Sequence, residues 1–289
     1  MLKQRVIGVV LVNASGIAVQ SVGFKRYLPI GSPQIAINYL DRWGIDEIVV
    51  LHIDAYQNSK TPSKEIIETY AKECRVPLAV GGGIKSVEDI QQIIAAGADK
   101  VVINTSFHDQ PELILNAAEI FGSQAIIVSF DASFRDGGFF IYKHTASTLT
   151  ALRLESQIKQ AIDLKAGEIF LNSVDKDGSK KGFDLNLIKS LPKKCSVPVT
   201  LCGGAGLPEH ISSAMSFDLS GVAAANFWHF SEHSVNTVKH ELVSRDKAIR
   251  FDSHVKYAGF NHDSDGRVKR LKEQYLDDLR FVYVAEEKI

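Results

Sequence analysis

The stretch LAVGGGIKS, residues 78–86, runs from a short apolar strand through three glycines into a helix start. VTLCGGAGL, residues 199–207, repeats that shape 121 residues further on. At the same offset Asp54 falls on Asp175, Gly82-Gly83 on Gly203-Gly204, and Asn104-Thr105 on Ala225-Asn226; at an offset of 120, Leu11 falls on Asp131. Self-similarity at a fixed period marks a repeated structural unit. The chain therefore reads as two halves, about 1–122 and 123–252, followed by a 253–289 extension.

Outward from the two glycine turns, β-branched runs alternate with amphipathic stretches. Strands are predicted over 6–12, 48–53, 77–80, 101–104, 125–130, 169–172, 197–201 and 221–225. Their nearly continuous apolar character fits strands buried on both faces. Helices are predicted over 33–43, 63–74, 87–96, 111–121, 154–164, 184–191, 209–216 and 234–243. Ser86 with Asp89 three residues on, and Ser32 before Pro33, supply helix-start chemistry. Eight strand–helix pairs predict an α/β chain folded as a (β/α)8 barrel made of two half-barrels. A doubly wound sheet is the alternative, and the repeat argues against it.

Composition narrows the function. The net charge is −1 and no basic stripe interrupts the first 250 residues, so nucleic acid is not expected as a partner. The early run VIGVVLV, 6–12, is too short to span a membrane and lacks a cleavage-type ending. Cys74, Cys195 and Cys202 have no metal or redox spacing and fit a reducing cytoplasm. No cofactor and no metal are expected, since histidines and carboxylates form no ligand spacing.

Each glycine turn closes a strand at the barrel end where ligands bind. Glycine lets backbone N–H groups approach an anion, so two such turns suit a phosphorylated small molecule. Closing a tight turn is the plainer use of the same glycines. Charges directly precede four strands at the opposite mouth: Arg5, Glu47, Lys100 and Glu168. They can close that mouth as a paired ring, or stand as solvated strand ends.

The segments VGGGIKSVEDI, AGADKVVINTSF, FGSQAIIVSFDA, SVDKDGSKKGFDL, CGGAG and WHFSE together resemble the cyclase subunit of imidazole glycerol phosphate synthase over about residues 3–252. The resemblance implies a glutaminase subunit on the N-terminal face and ammonia passing through the barrel. Arg5, Glu47, Lys100 and Glu168 match the family's ammonia gate. Its phosphate sites carry over to Gly82, Gly83, Asn104 and Thr105, and to Asp177, Gly178, Gly203, Gly204 and Asn226, where asparagine replaces a serine.

The departures cluster on the reacting face. The first catalytic carboxylate becomes Leu11, or Val12 with a one-residue insertion, while the second, Asp131, remains. The first-loop lysine becomes Gln20, the aspartate ending strand two becomes His52, and the loop after strand five runs through His144, Thr145 and Ala146. Asp131 and His52 are the candidate proton carriers. Such diverged relatives are linked to acetamidino-sugar formation in surface polysaccharide synthesis, beside a separate amidotransferase, and that role is the expectation. A genuine cyclase (lyase) of histidine biosynthesis and a non-catalytic glutaminase-activating scaffold are the alternatives. His108, His210, His233, His240, His254 and His262 read as surface groups, and His229, in the WHF segment, as structural. A tail helix over 268–279 is predicted from helical spacing.

Overall fold

The structure, a computed structural model, describes residues 3–56, 61–192, 195–255, 257, 260–264 and 266–269. The elements in chain order begin with β1 (Arg5–Val12), β2 (Ala18–Val22), β3 (Arg26–Gly31), α1 (Pro33–Arg42), β4 (Glu47–His52) and α2 (Lys64–Glu73). They continue with β5 (Leu78–Gly81), α3 (Val87–Ala95), β6 (Lys100–Ile103), α4 (Thr105–Asp109), α5 (Glu112–Phe121) and β7 (Ile126–Arg135). Then come β8 (Gly138–Lys143), β9 (Thr148–Arg153), α6 (Leu154–Asp163), β10 (Glu168–Ser173), β11 (Val199–Cys202), α7 (Pro208–Ala214), β12 (Gly221–Ala224) and α8 (Ser234–Ser244).

Strands β1, β4, β5, β6, β7, β10, β11 and β12 pair in parallel in that order, and β12 returns to β1. Closure leaves no barrel edge with unpaired backbone groups. The outcome is the expected (β/α)8 barrel. Helix α3 shows why the sequence folds this way locally: the Ser86 hydroxyl accepts from the Asp89 amide while the Asp89 carboxylate accepts from that of Ser86, a reciprocal cap.

Two features differ from the reading of the sequence. The predicted helix over 184–191 is a 3₁₀ segment, Leu185–Ser190. The Asp184 carboxylate holds its first turn through the Asn186 amide, and Pro192 follows too soon for α-helical turns to develop. Antiparallel hairpins also stand on the C-terminal mouth, β2–β3 after β1 and β8–β9 after β7. Both lie where the sequence suggested plain loops, at matching places in the two halves.

Several bonds recur at matching places in the two halves. The Ala14 amide donates to Asp54 Oδ2 at 2.9 Å, and the Phe134 amide to Asp175 Oδ2 at 2.7 Å. The Cys74 thiol donates to the Val76 carbonyl and the Cys195 thiol to that of Val197. In the sheet register Leu11 sits beside Leu51 as Asp131 sits beside Asn172.

Alternation along the strands divides the apolar residues into two shells. The larger lies between strands and helices and includes Val6, Val10 and Val12. The smaller fills the bore with Ile7, Val9, Val49, Ala79, Val102, Ile127, Phe170, Cys202 and Ala223. Val12 faces outward and is fully buried there, so the position equivalent to Asp131 is Leu11.

The first part of the extension runs back along the barrel wall. The Val255 amide donates to the Arg42 carbonyl, His233 bonds Tyr257, and Gly266 packs on α8 beside Thr237 and His240. The predicted tail helix lies almost wholly outside the described residues.

Candidate functional site

The charges that open β1, β4, β6 and β10 meet one another across the bore. Arg5 donates to Glu47, and its Nη2 reaches Glu168 Oε1 at 2.7 Å. Lys100 Nζ reaches Glu47 Oε1 at 2.9 Å and Glu168 Oε2 at 3.2 Å, and the Thr200 hydroxyl adds a bond to Glu168 at 2.7 Å. Both carboxylates are buried. Burial, the largest influence, pushes the Glu168 carboxyl up, but the bond and charge of Arg5, with Lys100 and Thr200, outweigh it and hold it below the usual range. Above this floor the inner shell is apolar for two layers.

The C-terminal mouth holds a cavity of about 150 Å³. Its apolar base is Val9, Leu11, Leu51, Val102 and Phe170, the upper bore residues. Its polar wall is Asn104, Ser129, Asp131, His144 and Asn172. Asp131 accepts from Asn104 Nδ2 at 2.9 Å and Asn172 Nδ2 at 3.0 Å, one bond on each oxygen. Burial nevertheless prevails and moves its pKa up to about 6. A carboxyl at that value can release and retake a proton near neutrality. Leu11, its counterpart, can do neither.

His52 lines the same cavity and its Nε2 lies 3.3 Å from the Tyr70 hydroxyl. Burial brings its pKa down to about 4, so the ring is neutral at pH 7. Gly82, Gly83, Asn104 and Thr105 border the cavity with Asp131 and His52, so one glycine turn opens on the polar wall. Gly82 has φ +126°, and a Cβ there would lie 2.6 Å from the His52 carbonyl oxygen, which requires glycine.

The second set is arranged differently. Asp177 borders the cavity, whereas Gly178, Gly203, Gly204 and Asn226 are not part of its lining. A Cβ on Gly178 would meet the Ser21 carbonyl oxygen at 2.6 Å, and one on Gly204 would meet that of Gly182 at 2.2 Å. Asn226 pairs with the main chain of Ser21 in both directions.

Several site groups escaped the reading of the sequence. Asn172 was identifiable by counting alternate residues from Glu168, which gives Glu168, Phe170 and Asn172 inward. Ser21, Phe24 and Tyr27 reach the cavity only through the unforeseen hairpin. Phe24 packs edge-on against Tyr142 and His144 at 5.9 Å each, so the hairpins touch over the mouth.

His108, His233, His240 and His262 are half-buried rather than plain surface groups. His108 packs on Phe107 and Phe130 with its Nε2 buried, His233 bonds Tyr257, and His240 stacks on His262. Apart from Phe107, adjacent to His108 in α4, these neighbours come from other segments, which spacing along one segment does not reveal.

Among the described residues, no group of three or more His, Cys, Asp or Glu could hold a metal ion. No described helix is long and apolar enough to cross a membrane.

The family model for histidine biosynthesis proteins matches residues 5–234. A relative from Vibrio vulnificus, "Putative imidazole glycerol phosphate synthase subunit hisF2", is 39% identical over 268 residues, covering 92% of this chain and 98% of its own. "Imidazole glycerol phosphate synthase subunit HisF" of an Exiguobacterium species is 36% identical over 88% of this chain and 98% of its own. The subunit of the same name from Thermobifida fusca is 36% identical over 81% and 94%. With its barrel, its paired floor and this similarity over most of its length, the chain belongs to the histidine biosynthesis protein family, among the cyclase-subunit barrels of imidazole glycerol phosphate synthase.

Proposed function

We propose that this chain is the barrel subunit of a glutamine-dependent complex that passes ammonia from floor to mouth without running the histidine-pathway cyclisation well. A glutaminase subunit docks on the N-terminal face. Ammonia enters at the Arg5–Glu47–Lys100–Glu168 ring and rises through the apolar bore. It serves amidino or acetamidino modification of a surface-polysaccharide sugar, with a separate amidotransferase beyond the mouth. The apolar bore suits this cargo, because neutral NH3 loses little hydration there while an ammonium ion would lose a great deal.

One contrast carries the reading: the floor is fully paired, while Leu11 stands where the repeat calls for the partner of Asp131. Removing one general acid or base costs about 10²–10⁴-fold. Gln20 in place of a lysine removes a cation from the same face. The Vibrio vulnificus relative, whose printed name sets it apart from the other HisF subunits, supports the same direction.

The phosphate role of Gly82, Gly83, Asn104 and Thr105 belongs to this reading. It is supported by their place on the polar wall.

The test is co-purification with the host's glutaminase-like proteins, then a glutaminase assay with and without the barrel. Stimulation that Lys100→Ala abolishes is expected, together with no normal ammonia-dependent turnover of the histidine-pathway substrate. Normal turnover would sink the proposal in favour of a true cyclase. The names of the 36% identical relatives favour that second reading. In it Asp131 works alone, with His52 or His144 carrying the second proton.

A further inference from the structure

The two glycine turns are related by the repeat, yet their side chains are engaged differently. On the first side the Thr105 hydroxyl borders the cavity and bonds to no described residue. On the second its counterpart, Asn226, spends both ends of its amide on β2: the Ser21 amide donates to Oδ1 at 3.0 Å, and Nδ2 donates to the Ser21 carbonyl at 2.6 Å. Three more bonds fix the same hairpin to the loop beneath it. The Ser21 hydroxyl donates to Asp177 Oδ2 at 2.6 Å, the Phe24 amide to that oxygen at 3.1 Å, and the Gly23 amide to the Asp177 carbonyl at 3.2 Å. Ser21 is 3% exposed, and its backbone lies directly against Gly178.

We infer that the second glycine turn is latched shut by Asn226 and Ser21, so that this barrel takes a ligand with a single phosphoryl end, held at the first turn, and an uncharged or cationic polar group at the other. This rests on the phosphate reading of Gly82, Gly83, Asn104 and Thr105.

The electrostatics of the far end agree with the latch. Among the described residues no lysine or arginine lines the cavity, and its far side is Ser21, Phe24, Tyr27 and Asp177. Burial, and then the carboxylates of Asp177, Asp54 and Asp131, bring the Tyr27 phenol up to about 12. A phosphate there would be repelled by the same negative field, whereas an amine, an amidine or a row of hydroxyls would be accepted. Gln20 on β2 is uncharged, and the hairpin's two cations, Lys25 and Arg26, are not part of the cavity lining.

Titration calorimetry of the full chain with inorganic phosphate, nonane-1,9-diol monophosphate and the corresponding bisphosphate, long enough to reach from one turn to the other, tests the inference. The wild type is expected to take one phosphate per chain and to bind monophosphate and bisphosphate with equal affinity. Asn226→Ser, which removes the two-way pairing, is expected to take two and to favour the bisphosphate by about tenfold or more, the worth of one charge-assisted phosphate contact. Its melting curve is recorded to show that the barrel is folded. Two phosphates in the wild type, a wild-type preference for the bisphosphate, or a folded Asn226→Ser chain that still takes only one would overturn the latch. No phosphate binding in either chain would instead overturn the phosphate reading beneath it, and leave the glutaminase test untouched.

Discussion

The two half-barrels agree where they build and differ where they act. Asp54 and Asp175 clamp the same loop, Cys74 and Cys195 the same turn, and each half raises a hairpin over the mouth. Glu47 and Glu168 are also counterparts, but both cations of the floor come from the first half: Arg5 stands opposite Ala125, and Lys100 opposite Gly221. At the mouth the imbalance reverses. The second half has Asp131 and Asn172 where the first has Leu11 and Leu51. A repeat in which each half keeps its own scaffold can lose a polar pair on one side without losing the fold. Apolar replacements fit the bore, whose lower layers are already apolar.

The comparison can be broken most sharply at Leu11. Leu11→Asp restores two facing carboxylates, and ammonia-dependent cyclase turnover is expected to rise by about 10²–10⁴-fold over the starting chain. Unchanged turnover would show that Gln20 or His52 is disabling by itself, and that the Leu11–Asp131 contrast is not the decisive one. At the floor, Arg5→Ala leaves Glu47 and Glu168, 2% and 6% exposed, sharing Lys100 as their one cation, with the Thr200 hydroxyl still on Glu168. Loss of a partner from a buried pair typically costs about 3–5 kcal/mol, which denaturant unfolding should register near the low end because Arg5 is itself 22% exposed.

The same asymmetry governs what the sequence disclosed. All eight barrel strands were legible because strands covered on both faces are written as apolar runs, and the repeat fixed their closure. The hairpins were not. Residues 18–31 and 138–153 mix Gln20, Ser21 and Lys25, or Lys143, His144 and Thr145, with isolated apolar residues. A ribbon that buries only a few residues, Ala18, Val19 and Ser21 or Phe139 and Ile141, needs no continuous apolar run. The latch was hidden because Ser21 and Asn226 are 205 residues apart and the Asn226 amide meets only backbone atoms of Ser21, so nothing in the side chain at 21 announces it. The floor ring was legible as charge before strand, but its pairing needed coordinates. Leu11 against Val12 was settled by which face of β1 each occupies.

Asp131→Asn offers the finest test, because it separates the cost of the one remaining acid from its use. Asp131 titrates near 6 in the folded chain and near 4 unfolded. Between those values the native state binds a proton that the unfolded chain has released, so this group's contribution to stability falls as pH rises through that window. The neutral variant lacks that penalty. The missing charge is worth about 3 kcal/mol at pH 7, and the lost acceptor, where Asn104 and Asn172 both donate, takes back about 1, so a net gain of about 2 kcal/mol is expected at pH 7, closing by pH 4. His52 and His229 have the opposite sign. Burial holds each near 4, so the unfolded chain takes up their protons first, and stability is lost as pH falls from about 6.5 toward 4. In the wild type these slopes oppose one another between pH 4 and 6; in Asp131→Asn the histidine slope is no longer offset by this carboxyl, and melting temperature should fall more steeply with acid. Parallel melting curves for the two chains across that range would mean that Asp131 is ionised in the folded protein at ordinary carboxylate pH, and that the polar wall solvates it better than its burial implies.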